Sequence, residues 1–259
     1  MNGLIAFFDI LGYQSFLENN SASDTAASDA ALNVLKLITE IPLGVKKLMA
    51  DFASDLPDKS NEAKEIANLI KHLIFSDTIV LSIEYPLGAS SSWKKAALAY
   101  ITTFSGILFN RMFDKGLPMR GVIEEGEFLI KDTCFAGKAI VNAYKLCDSL
   151  DFAGLVYSSS LGDSLPRILN FQKTHPSMIP YLSPKNGLKE EKLIQINWIL
   201  ASLDELKKKE ILSDIETYVL RAFWAHNKDC PLSVDVKVQN TVKLCRRLAI
   251  ALQSLPKED

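Results

Sequence analysis

The chain has 259 residues, of which 48% are hydrophobic and 23% charged, so it can bury a sizeable core and is neither disordered nor collagenous. Its 29 basic and 31 acidic residues give a formal charge of −2, which offers no electrostatic case for a nucleic-acid polymer or a membrane surface as partner. No run approaches about 18 uninterrupted apolar residues and the N-terminus lacks a basic leader, so the expectation is a soluble protein without a membrane partner.

Leu4 to Phe8 reads as a short buried strand that stops at Asp9-Ile-Leu-Gly12. Helical periodicity follows from about Tyr13 to Asn19 and from Asp29 to Phe52, with polar surface loops at Asn19–Ala26 and Ser54–Asn61. His72–Phe75 and Thr78–Ile83 are β-rich runs separated only by Ser76-Asp77, the spacing of a hairpin. A long helix is expected from about Ser92 to Asp114, opened by a serine cap and closed by Gly116-Leu-Pro118. Met119–Glu125 and Glu127–Ile130 read as a strand pair turning at Gly126. The order strand, helix, strand, strand, helix, strand is the ferredoxin-like βαββαβ arrangement of an α+β fold.

Beyond it come a helix from Gly137 to Leu150, a strand Leu155–Tyr157, and a strand pair around Ile179–Ser183 and Leu193–Trp198. From Leu203 the pattern is two helices with a polar break at His226–Ser233. The expected division is a core over 1–200 and a C-terminal helical extension over 201–259 packed on it. Cys134, Cys147, Cys230 and Cys245 form no Cys-x-x-Cys pair and no secretion signal is present, which suits a reducing, cytoplasmic location. His72, His175 and His226 are equally dispersed, so no His/Cys metal centre is expected.

Asp9 closes a strand and Asp77 sits in a hairpin turn. In a split βαβ sheet the end of the first strand and the turn between the second and third strands can meet, and two carboxylates there repel unless a cation neutralises them. Hard oxygen ligands of this kind suit two Mg²⁺ or Mn²⁺ ions completed by phosphate oxygens. The same residues also fit a helix N-cap and an ordinary turn.

At these positions the sequence resembles the class III nucleotide cyclases. Phe8-Asp-Ile-Leu-Gly-Tyr13 resembles their first metal motif and Phe75-Ser-Asp77-Thr their second. Met119-Arg-Gly-Val-Ile-Glu-Glu-Gly126 and Gly137-Lys-Ala-Ile-Val-Asn-Ala-Tyr-Lys-Leu146 resemble their fourth strand and following helix. The resemblance spans about residues 4 to 160 and implies that 1–200 is a cyclase domain. It implies that Asp9 and Asp77, with the Ile10 carbonyl, hold two divalent cations, and that backbone N–H groups of Leu11, Gly12 and Tyr13 bind phosphate. Lys185 stands where the family places a phosphate-binding lysine, although a lysine beside a loop glycine also fits plain surface.

The departures bear on substrate. The purine-reading positions fall on Leu73 and Cys134, which offer no charged base contact, the transition-state asparagine position on Val141, and the arginine position on Lys145. Loss of the purine readers with both aspartates kept resembles the bacterial Pycsar anti-phage cyclases, which make cyclic UMP or cyclic CMP. That resemblance implies UTP, or less readily CTP, as substrate. It offers Arg120 for contact with the base or ribose, an exposed strand arginine being the other reading, and leaves Lys237-Val-Gln-Asn-Thr241 without a role. One cyclase domain per chain implies a homodimer with composite sites, Lys145 coming from the second copy. The rival expectation is a catalytically silent cyclase-like domain that binds a nucleotide or acts as a sensor.

Overall fold

The computed structural model describes residues 1–20, 25–55, 60–131, 134–162, 165, 177–187, 189–202, 204–229 and 231–253. The expected loops at Asn19–Ala26 and Ser54–Asn61 lie partly outside these residues, and His175, Leu203 and Cys230 wholly so.

The first strand, β1 (Asn2–Ile10), is apolar along both faces and buried almost throughout, as a central strand covered on each side must be. It is followed by α1 (Tyr13–Asn20), α2 (Thr25–Asp55) and α3 (Ser60–Leu69), then by the hairpin β2 (Lys71–Phe75) and β3 (Thr78–Glu84). The helix α4 (Ser91–Asp114) is capped by Ser90, whose hydroxyl accepts from Trp93 N at 3.0 Å. Next come β4 (Met119–Glu127), β5 (Leu129–Lys131), β6 (Cys134–Ala136), α5 (Lys138–Ser149) and β7 (Gly154–Tyr157). The hairpin β8 (Met178–Lys185) and β9 (Lys189–Ile196) precedes α6 (Glu205–Ser213), α7 (Ile215–Trp224) and α8 (Leu232–Gln253).

The large sheet has the order β2-β3-β1-β4-β7-β9-β8. Its first four strands are antiparallel neighbours in the ferredoxin-like order; β7 adds parallel to β4, and the β8–β9 hairpin extends the far edge. Register pairs Asp9 with both Thr78 and Arg120, and Phe7 with both Val80 and Val122. These side chains therefore share one face of the sheet, the face on which α5 lies through the Phe7–Tyr144 edge contact.

Three expectations change. Gly126 is not a turn: it pairs with Gly3 inside an unbroken β4, because β1 reaches back to Asn2 and supplies backbone partners as far as Glu127. The next strands, β5 and β6, form a separate two-stranded sheet. Helix α3 was not anticipated, although Ala63, Ile66, Ala67 and Ile70 carry the i, i+3, i+4, i+7 spacing and pack into the core. Among the described residues the tail holds three α-helices instead of two, because Asp214 starts α7 afresh by accepting from Thr217 N at 3.0 Å.

The tail shares the apolar core of the sheet. Trp198 stacks on Phe113 at 4.9 Å, Tyr218 stacks on Phe113 at 5.3 Å, and Leu244, Cys245 and Leu248 are fully buried. Among the described residues no helix is long and apolar enough to cross a membrane.

Candidate active site

The site forms where β1 ends. Ile10 N donates to Asp77 O at 3.0 Å, tying the tip of the β2–β3 hairpin to the end of β1. Ser76 takes a left-handed conformation (φ 56°) to close the two-residue turn. The two aspartates are thereby neighbours, and the Asp77 charge is felt at the Asp9 carboxyl.

Asp9 is held by Arg120. The guanidinium places Nη2 at 2.6 Å and Nε at 3.1 Å from Asp9 Oδ2, while Nη1 donates to the carbonyls of Asp148 (2.6 Å) and Leu150 (3.3 Å) at the end of α5. Asp148 Oδ1 is 3.4 Å from Nη2. Burial pushes the Asp9 carboxyl above its ordinary range and outweighs the pull of Arg120; Asp77 and Asp148 add to the rise. Asp9 is therefore not a cap for α1, whose first bond runs from Phe16 N to Gly12 O. The Asp77 carboxylate has no hydrogen-bond or ion-pair partner among the described residues.

The sequence offers Arg120 either as a contact to the base or ribose or as an exposed strand arginine. Register opposite Asp9 instead commits its guanidinium to Asp9 and the α5 terminus, with only 12% of its side chain exposed. Leu11 was expected to offer its amide to phosphate, but that N–H donates to Pro118 O at 2.8 Å, extending the β1–β4 pairing by one more bond. Gly12 and Tyr13 keep amides without a protein acceptor among the described residues, at the start of α1. Burial raises the Tyr13 phenol, and the Asp77 charge raises it further. Lys185 forms an ion pair with Glu191 across the β8–β9 hairpin. The adjoining Asn186 donates its Nδ2 to Asp148 O at 2.9 Å, so this hairpin abuts the carbonyl that Arg120 uses. Lys145 is exposed on α5, and Cys134 is exposed on β6.

Beside Asp9 on the same face lies a cleft of about 330 Å³ lined by Phe7, Thr78, Phe135, Ile140, Val141 and Tyr144, within the size range of small-ligand pockets. Leu73 shares the face through its pairing with Val80, but Leu73, Cys134 and Arg120 are not part of that lining. The aromatic walls escaped sequence reasoning. Phe7 was within its reach, because it stands two residues before Asp9 on the same strand.

The tail grips this region from the opposite side. Lys228 lies over Gly12, where a Cβ would stand 3.0 Å from Lys228 Cδ, and its Nζ donates to Gly116 O (2.8 Å) and Ala222 O (3.2 Å) near the C-terminal ends of α4 and α7. A cation there complements both helix dipoles. Asp229 N donates to Ser15 Oγ at 2.7 Å and Asn19 Nδ2 to Asn227 O at 2.8 Å, fastening α1 to the same strap.

Among the described residues no group of three or more His, Cys, Asp or Glu side chains assembles into a self-sufficient metal cage. Two neighbouring carboxylates, one partnered on a single oxygen and one unpartnered, fit a hard divalent cation completed by phosphate oxygens and water. The fold and the site together define an α+β protein with a ferredoxin-like sheet and a two-aspartate site at the ends of adjoining strands. The crystal structure of the guanylyl cyclase Cya2 is similar over 76% of this chain and 91% of that chain, at 12% sequence identity and a TM-score of 0.39. Searches of protein-family models and of curated proteins find no match.

Proposed function

We propose that the chain is a nucleotide cyclase that converts UTP, or less readily CTP, to the 3′,5′-cyclic nucleotide and pyrophosphate. The observation that carries this reading is the meeting of Asp9 with an unpartnered Asp77 at the β1 end. The motif resemblance of residues 4 to 160 supports it. Asp9 and Asp77, with the Ile10 carbonyl, would hold two Mg²⁺ or Mn²⁺ ions. Those ions, when bound, would ease loss of the 3′-hydroxyl proton and neutralise charge on the departing pyrophosphate.

The remaining roles belong to the chain. Arg120 holds Asp9 in one orientation; the Gly12 and Tyr13 amides at the α1 start bind phosphate oxygens. The apolar cleft receives the flat base against Phe7, Phe135 and Tyr144, where stacking does not demand a purine. Lys145 on exposed α5 reaches the phosphates of a second copy's site, in a homodimer with composite sites. By the same resemblance the product serves as a second messenger in anti-phage defence within the cytoplasm.

A second reading, a silent nucleotide-binding domain, draws on Val141, which brings an apolar side chain to the wall of the cleft where the resemblance expects a polar one. Incubation with each of the four NTPs and Mn²⁺ separates the two. Cyclic UMP or cyclic CMP, abolished by Asp9→Ala and by Asp77→Ala, is the expected result. Tight nucleotide binding without product from any NTP would leave only the second reading.

A further inference from the structure

The Lys237–Thr241 stretch of α8 meets the segment that joins α5 to β7. Thr241, fully buried, accepts from Ala153 N at 2.8 Å through Oγ1 and donates to Lys237 O at 2.7 Å. Asn240 Nδ2 donates to Asp151 O at 3.0 Å, and Lys237 Nζ stands 3.4 Å from Asp151 Oδ1. Positions 237, 240 and 241 lie on one helix face, so three polar side chains converge on the segment Asp151–Ala153.

The residues just before that segment hold Arg120. Asp148 O and Leu150 O are the two acceptors of Arg120 Nη1, and Arg120 in turn clasps Asp9. On its outer side the segment is tied to the β8 end, where Asp151 N donates to Pro184 O at 3.1 Å. A helix that merely covered the core would place apolar side chains at 240 and 241, as it does at Val238, Val242, Leu244 and Leu248. Polar groups buried there are tolerated because each finds a partner on this one segment.

We infer that α8 is a positioning element for the site: Lys237, Asn240 and Thr241 fix Asp151–Ala153, and through it the carbonyls that aim Arg120 at Asp9. The consequence for turnover rests on the cyclase reading; the consequence for Arg120 does not. Lys237, Asn240 and Thr241 are positioning residues, since none of them touches the aspartates.

The test follows hydrogen exchange at the Arg120 Nε–H by NMR in the full chain, the resonance being assigned by its loss in Arg120→Lys. Thr241→Val should speed that exchange about tenfold, the weight of one hydrogen bond, and Thr241→Ser should restore it. Thr102→Val is the control: it removes a buried hydroxyl bonded to Tyr157 OH at 2.7 Å elsewhere in the core, and should leave the exchange unchanged. Alongside, kcat for the cyclised NTP should fall about tenfold in Thr241→Val with KM nearly constant, and recover in Thr241→Ser. If Thr241→Val does not fold, Asn240→Ala and Lys237→Met, nearer the surface, carry the same measurement. Unchanged Arg120 exchange in the variants at Thr241, Asn240 and Lys237, or equal acceleration in Thr102→Val, overturns the inference. Faster exchange in an otherwise native chain that cyclises no NTP upholds the inference and overturns the cyclase reading.

Discussion

Replacing Arg120 by methionine removes the one cation that, among the described residues, faces Asp9, while keeping most of the apolar stem. The two side chains are 12% and 24% exposed and share hydrogen bonds of 2.6 and 3.1 Å on one carboxylate oxygen. Breaking a fully buried pair costs about 3–5 kcal/mol; with a quarter of Asp9 open to water, about 2–3 kcal/mol is expected here at pH 7. The loss depends on pH. Asp9 already titrates above its ordinary 3.8 because of burial, and without Arg120 it rises further. Above pH 3.8 the folded variant then holds more protons than the unfolded chain, so its stability falls as pH rises until Asp9 ionises within the fold. The deficit of Arg120→Met should therefore be small near pH 3.8 and largest at neutral pH. Urea unfolding in EDTA across that range, with Asp9→Asn completing a double-mutant cycle, measures it. The cycle should show coupling of about 2 kcal/mol at pH 7, and Mn²⁺ should narrow the deficit of Arg120→Met by supplying the missing positive charge. A deficit equal at both ends of the pH range, or additive single variants, would refute this account of the site.

Asp77→Asn should change stability in EDTA by no more than about 0.5 kcal/mol, since the carboxylate has no protein partner among the described residues, yet abolish Mn²⁺ binding by calorimetry and cyclic product. Gly12→Ala should cost about 1–2 kcal/mol in thermal or urea unfolding, because φ is +77° and the new methyl would press on Lys228; shortening Lys228 in the same chain should relieve only the steric part. Burial lowers Lys228 from 10.5 to about 8, so the unfolded chain holds more protons between those values. Wild type should gain stability over Lys228→Met as pH rises through that window, and identical pH profiles for the two chains would contradict it.

Much of this arrangement was legible along the chain. The apolar runs ending at Asp9 and flanking Ser76-Asp77 showed both aspartates at strand ends, and the α4 cap and Gly116 stop were readable from local chemistry. Helix α3 could have been read too, from four apolar residues at helical spacing in an otherwise polar stretch. Gly126 misled because a glycine looks the same in a turn and in a ladder; only the length of β1 beside it decides.

What local pattern determined was which residues are strand or helix and which side chains stop a strand, because burial periodicity is a property of neighbours in sequence. What it could not determine was the partner of each charge. Arg120 lies 111 positions from Asp9 and meets it only through the β1–β4 register. Likewise Thr241 lies 88 positions from Ala153, and Lys228 reaches Gly12 across the fold. The near-zero net charge seen at the outset held no trace of these pairings, since position in space, not composition, decides which charges meet.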